Sequence, residues 1–436
     1  MYTRPLVPAN NMNLYPSHIY LFLIGTLVFF RINLVGMLTW SEVFTLGYFL
    51  LRWREVVNWT LQDGMLRMIL RAWLIYLLMQ VFSDMVNGTL PSDYMRGWAR
   101  LVFFAVNITV IAFLSGLQLD RMAAFFAGYA FSLALASFQE RNEFLSEWKF
   151  GYGPALTMGV ALVIGWMHSA RVNRIGGIAF ILLGIVHLQA NARSLGGITL
   201  LIGLLTILAT YFRDNLRDGG FMSVRFLLPV VIALIGIYQV YTIGASSGWL
   251  GEKSRDKYEK QTSGGRNILS GGRMEYTIAI PAIMEAPVLG YGSWARHPEY
   301  VKKYIYLNGM DPNTYDAEYL MDLGTIPTHS HILGSWAEAG VAGGIFWILV
   351  LWLALRTFYR MLGHERLPYR QFLLFMLVFF IWDILFSPFG LERRVTDPAV
   401  IMVMAAMQRL LDHQEEGEAD ELTLTHNRKN VPAWIR

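Results

Sequence analysis

The sequence predicts an all-α integral membrane protein: about twelve transmembrane helices and one large external loop, periplasmic in a Gram-negative cell, that holds short helices of its own. Three observations predict it. The chain of 436 residues is 55% hydrophobic and 16% charged, against about a quarter charged in soluble domains, and its mean hydropathy is +0.39. Apolar stretches of membrane-crossing length recur along it. One long polar stretch, from about Ser246 to Ser330 and rich in Gly, Tyr and charge, interrupts them.

The apolar stretches fall near 18–34, 38–53, 67–84, 97–117, 121–138, 153–168, 176–190, 195–212, 224–245, 332–356, 370–388 and 397–411, the first interrupted by Arg31. They divide the chain into an N-terminal membrane bundle (1–245), the external loop (246–330), C-terminal membrane helices (331–411) and a charged cytoplasmic tail (412–436) that reads as a solvated, mobile end. Orientation follows from Lys and Arg, which are retained on the cytoplasmic side. With both termini inside, Arg52, Arg54, Arg171, Arg174, Arg213, Arg217, Arg356 and Arg360 are cytoplasmic. The outer connections then hold fewer: Arg96, Arg100, Arg141, Lys149, Arg193, Arg393 and Arg394.

The N-terminus lacks the pattern of a cleavable signal peptide. The absence of cysteine excludes disulfides and thiolate metal sites, so the external loop depends on packing. A net charge of +4 reflects membrane topology rather than a nucleic-acid partner. No inverted repeat of the secondary-transporter kind is visible.

Four places concentrate polar chemistry near predicted membrane boundaries, where such residues are costly. In Asn191-Ala-Arg193-Ser-Leu-Gly-Gly197 an arginine is followed by small residues. A guanidinium fork there suits phosphate oxygens, or simply snorkels to headgroups. In Gly264-Gly-Arg266 and Gly271-Gly-Arg273 two Gly-Gly-Arg units precede an amphipathic run at 273–285, which reads as a helix with Arg273 near its start. The Gly-Lys-Ser/Thr end of a P-loop is missing. Pro287-Val-Leu-Gly290-Tyr-Gly292-Ser-Trp294 marks a tight turn. Its Tyr291 can stack on a sugar or sit at the interface.

The fourth place is His329-Ser-His331, with Glu338 and Gly340 downstream. Histidines two apart diverge on a helix, which disfavours a two-histidine metal site on one face. A histidine at the outer mouth of a span suits proton abstraction near neutral pH, or merely hydrogen-bonds there.

Together these pieces resemble the O-antigen ligase and polysaccharide polymerase superfamily. The matching positions are Arg193, then Arg273, then Pro287 with Gly290 and Gly292, and finally His329, Leu333, Glu338, Gly340 and Gly343. The fit covers roughly 190–350 and favours His329 over His331. Ser330 stands where the family often has Asn, and Ala192 where Ser often precedes the arginine.

The resemblance implies inverting, metal-independent glycan transfer, without a cofactor, from an undecaprenyl-diphosphate-linked oligosaccharide donor to an acceptor hydroxyl. Arg193 and Arg273 would hold the diphosphate, with Arg266 in reserve, and His329 would be the catalytic base. Accessory or acceptor-facing roles fall to His331, Glu338, Tyr291, Arg393 and Arg394. The acceptor would be another lipid-linked glycan for a polymerase, lipid A–core for a ligase, or a protein hydroxyl in a relative. A polymerase in the bacterial inner membrane, with its site on the periplasmic side, is the expectation. The non-enzymatic rival is a lipid-linked glycan flippase, which needs charges along a central path. Its candidates are few: Arg31, Arg71, Asp84 and Asp383.

Overall fold

The computed structural model describes residues 15–34, 36–139, 148–167, 170–211, 224–262, 274–362, 364 and 367–429. It is mostly helical, and a helix covers most of each apolar stretch after the first. Among the described residues, five helices are long and apolar enough to cross a membrane: Gly64–Asn87, Pro91–Ser115, Leu119–Ser137, Leu228–Ser246 and His331–Leu362. Shorter apolar helices lie at Pro16–Phe29, Arg174–Gln189 and Arg193–Ala209.

The first stretch departs from expectation. α1 (Pro16–Thr26) ends early, a 3-10 turn follows at Leu27–Phe29, and Arg31–Asn33 pairs antiparallel with Met37–Thr39. Arg31 is the cause: its guanidinium leaves the helix line for Glu392, 2.8 Å away. α2 (Trp40–Thr60) then opens on a capping box in which Glu42 Oε2 accepts from Thr39 N at 2.8 Å, satisfying donors that a helix start leaves bare.

α3 (Gly64–Asn87) and α4 (Pro91–Ser115) each end on a left-handed glycine, Gly88 and Gly116. α5 (Leu119–Gln139) returns against α1 at close range, because a Cβ on Gly25 would overlap Phe125 O and one on Gly128 would overlap Phe22 O. Small residues let helix backbones approach where water supplies no drive for association. A π-helical turn (Trp148–Tyr152) leads into α6 (Gly153–Trp166), and α7 (Ala170–Gln189) and α8 (Arg193–Tyr211) form a tight hairpin.

After α9 (Val224–Ser246) the polar stretch holds α10 (Glu252–Thr262), α11 (Met274–Glu285), α12 (Pro298–Leu307) and α13 (Tyr315–Leu323). Two apolar clusters hold this part together. One joins Ile278, Ala282, Ile283, Tyr300, Ile326 and Ala337; the other joins Val301, Ile305 and Ala317. α14 (His331–Leu362) and α15 (Arg370–Phe386) re-enter the main core around Trp347, Phe346, Phe372 and Phe375.

The last helix, α16, runs Arg393–Lys429. The tail expected as a mobile end is therefore helical as far as Lys429.

Candidate functional site

The turn after α11 is fastened to α14. At Gly340 (φ 62°, ψ −151°) α14 leaves helical geometry, so carbonyls just before it lose their helical donors. The Pro287–Gly292 turn supplies replacements: Tyr291 N donates to Ala337 O at 2.8 Å and Gly292 N to Glu338 O at 3.0 Å. Trp336 Nε1 donates to Pro287 O at 2.9 Å. Gly290 (φ 71°) and Gly292 (φ 81°) take left-handed conformations that side chains resist. A Cβ on Gly340 would run into Val288 O.

The N-terminal bundle completes this joint. Ser83 Oγ donates to Glu338 O at 3.0 Å, and Asn87 Nδ2 to Gly290 O at 3.2 Å. Asp84 accepts from Ser293 N at 2.5 Å, Ser293 Oγ at 2.8 Å and Trp98 Nε1 at 2.7 Å. The Glu338 carboxylate, 11% exposed, forms an ion pair with Arg100 of α4. Glu338 is thus a strut of the site.

His329 sits on the extended chain just before α14, its side chain 56% exposed. Nδ1 lies 3.6 Å from Glu275 Oε1, in the first turn of α11. Tyr304 OH also donates to Glu275 Oε1, at 3.5 Å. Burial, and then the Glu275 charge, push the Tyr304 phenol up to about 12, so it stays a donor.

His329 lines a cavity of about 560 Å³ together with Arg31, Lys149, Ser194, Asp383 and Arg393. Except for Asp383, a span-end residue, these come from the predicted outer connections or a span end beside one. Arg193 immediately precedes Ser194. Its guanidinium donates to Gln261 Oε1 of α10 at 2.8 Å and lies over the Tyr241 ring at 5.4 Å.

The other candidates separate. His331 is fully buried, Nδ1 2.7 Å from Ser387 O and Nε2 3.0 Å from Asp397 Oδ2, with Trp347 edge-on. Its ring braces the wall behind the cavity and is closed to an acceptor. Arg393 lines the cavity and pairs with Asp383 Oδ2 at 2.5 Å. Arg394 points away into a buried double contact with Glu42, 2.8 Å on each oxygen, and donates to Met37 O. It serves the fold. Tyr291 is half-buried, its hydroxyl donating to Ala282 O at 3.0 Å. Arg266 and Arg273 lie outside the described residues.

Sequence reasoning missed Glu275, Lys149 as a cavity residue, and Arg100 as the partner of Glu338. Glu275 stands two residues past Arg273, so its place in the first helical turn beside the expected site was the available signal. The flippase candidates separate: Asp84 is closed in by Ser293 and Trp98 and Arg71 is exposed on α3, while Arg31 and Asp383 share the His329 cavity.

The long apolar helices suit an integral membrane protein, and a histidine and several cations line one of its cavities. Residues 177–348 match the family described as O-antigen ligase, which supports the resemblance to the O-antigen ligase and polymerase superfamily. The match contains Arg193, Arg266, Arg273, Tyr291, His329, His331 and Glu338, and ends before Arg393 and Arg394. No curated protein matches the chain. The family supports glycan transfer of the ligase or polymerase kind.

Proposed function

We propose that this protein transfers a glycan from undecaprenyl diphosphate to the hydroxyl of a second lipid-linked glycan, as a polysaccharide polymerase with its site on the periplasmic face of the inner membrane. The observation that carries the reading is His329: solvent-accessible, lining the cavity, and backed by Glu275.

The acceptor oxygen attacks the anomeric carbon as His329 Nε2 takes its proton. The bond from that carbon to the diphosphate oxygen breaks, and the electron pair leaves with undecaprenyl diphosphate. Attack from the face opposite the leaving group inverts the anomeric centre. Glu275, beside Nδ1, orients the ring and stabilises the imidazolium, the role of the third member of a triad. Arg193 and Arg273 meet the charge that grows on the diphosphate. Fixed cations in a water-poor site act strongly there and require no metal.

A second reading, transfer to lipid A–core, is favoured by the description of the matched family as O-antigen ligase. Both readings are tested by restoring glycan in cells lacking the native gene with wild type, His329→Ala and Arg193→Ala at matched membrane levels. Loss of product from both variants is expected. Loss of free or lipid-linked polymer identifies a polymerase, and loss of capped lipid A–core a ligase. Near-normal product from His329→Ala overturns the general-base assignment and makes the flippase the better reading to pursue.

A further inference from the structure

α10 crosses the Arg193 end of the α7–α8 hairpin with one face. Ser254, Tyr258 and Gln261, spaced four and three residues apart, fall on that face. Ser254 Oγ meets Asn191 Oδ1 at 3.5 Å, Tyr258 packs with Leu188, Tyr241 and Leu250, and Gln261 accepts from Arg193. Lys257, three residues from Ser254 and four from Gln261, belongs to the same face; the residue is exposed as a whole, while its ammonium group is partly withdrawn from water. Lys149 approaches from the other side, as part of the cavity wall that includes Ser194 and Leu195.

We propose that Lys257 and Lys149 extend the Arg193 position into a three-cation site for the donor's diphosphate, with α10 carrying its outer member. The inference rests on the glycan-transfer reading and names two further binding residues for it. Each phosphate of a diphosphate diester carries one negative charge, and an arginine fork engages one phosphate well. Two ammonium groups beside it would reach the second phosphate. They would also strengthen as the sugar leaves and a further negative charge develops on the diphosphate.

The electrostatics agree with the geometry. Desolvation, then the positive charges of Arg193 and Lys149, pull the Lys257 ammonium down from 10.5 to about 8. Like charges gathered this way oppose one another until an anion arrives. The other ionisable groups near this face are the Tyr241 and Tyr258 phenols, and on α10 itself Glu252, Lys253, Arg255, Asp256, Glu259 and Lys260; Arg255 pairs with Glu259 at 2.9 Å. The sign is definite. Below pH 8 Lys257 is charged and attracts the diphosphate; above it the free protein loses that charge, and affinity falls.

The experiment measures binding of undecaprenyl diphosphate to the full chain in nanodiscs, for wild type, Lys257→Gln, Lys257→Arg and Lys149→Gln, between pH 6.5 and 9.5. Thermal unfolding confirms that each variant folds. The expected result is roughly tenfold weaker binding for each Gln variant at pH 7, the factor that about 1.4 kcal/mol of lost interaction gives. Lys257→Arg should retain affinity and flatten the decline above pH 8. If wild type binds and folded Lys257→Gln binds equally, the three-cation site is overturned. If wild type fails to bind undecaprenyl diphosphate, the donor assignment itself has failed.

Discussion

Glu275 Oε1 stands 3.6 Å from His329 Nδ1, across the junction between the first turn of α11 and the chain segment entering α14. Two elements separated by more than fifty residues thus meet at the proposed base. In the proposed transfer, a carboxylate on the Nδ1 side of the ring assigns the proton-accepting role to Nε2.

His329→Ala should lower product formation about 10²- to 10⁴-fold, the usual worth of a general base. Glu275→Gln should cost less, since the base survives and only its support is weakened. Initial rates of polymer formation from purified lipid-linked repeat units test this order. A Glu275→Gln loss equal to that of His329→Ala would make Glu275 a direct participant.

The Arg100–Glu338 pair joins α4 to the kinked helix carrying the site. Breaking a buried pair by removing one partner costs about 3–5 kcal/mol. Arg100→Met or Glu338→Gln should therefore lower the thermal midpoint in detergent. The double variant should lose less than the two singles summed. Simple additivity would mean that the pair carries no coupling.

Gly340→Ala should be among the most damaging small substitutions in the chain. The methyl would strike Val288 O at a backbone angle side chains rarely adopt, and such strain costs about 1–3 kcal/mol before the clash is counted. Membrane accumulation and unfolding temperature report it. Gly390→Ala, with no close neighbour for the added methyl, is the matched control.

Arg394→Met should impair accumulation by stranding the Glu42 carboxylate, whereas an apolar replacement of both partners should recover much of the loss. Fluorescence-detected size exclusion on membrane extracts separates these cases. Full accumulation of Arg394→Met with lost activity would instead make this arginine part of the binding surface.

The helices were largely legible because each apolar run is long and separated from the next by charge or turn residues. The first run misled, since Arg31 is recruited by Glu392 from the far end of the chain, a partner no local pattern announces. The His329, Glu338 and Gly340 spacing pointed to a segment that lies inside the family match. Which of two histidines faces the cavity is decided by Asp397 and Ser387, which bury His331. The rank of Arg393 over Arg394 was equally hidden, because adjacent helical residues point about 100° apart and only the fold tells which direction is inward.

The joint between the Pro287 turn and Gly340 has a consequence for dissection by truncation. Its hydrogen-bond partners Ser83, Asn87 and Asp84, and the counter-charge Arg100, all lie upstream of residue 177, where the family match begins. A fragment confined to 177–348 would carry the signature residues and yet lose the Asn87 donor to Gly290 O, the Asp84 acceptor of Ser293 N and the counter-charge of Glu338. The unit that inheritance marks and the unit that folds are different lengths of chain. Split halves of this protein should regain function only when both are supplied together.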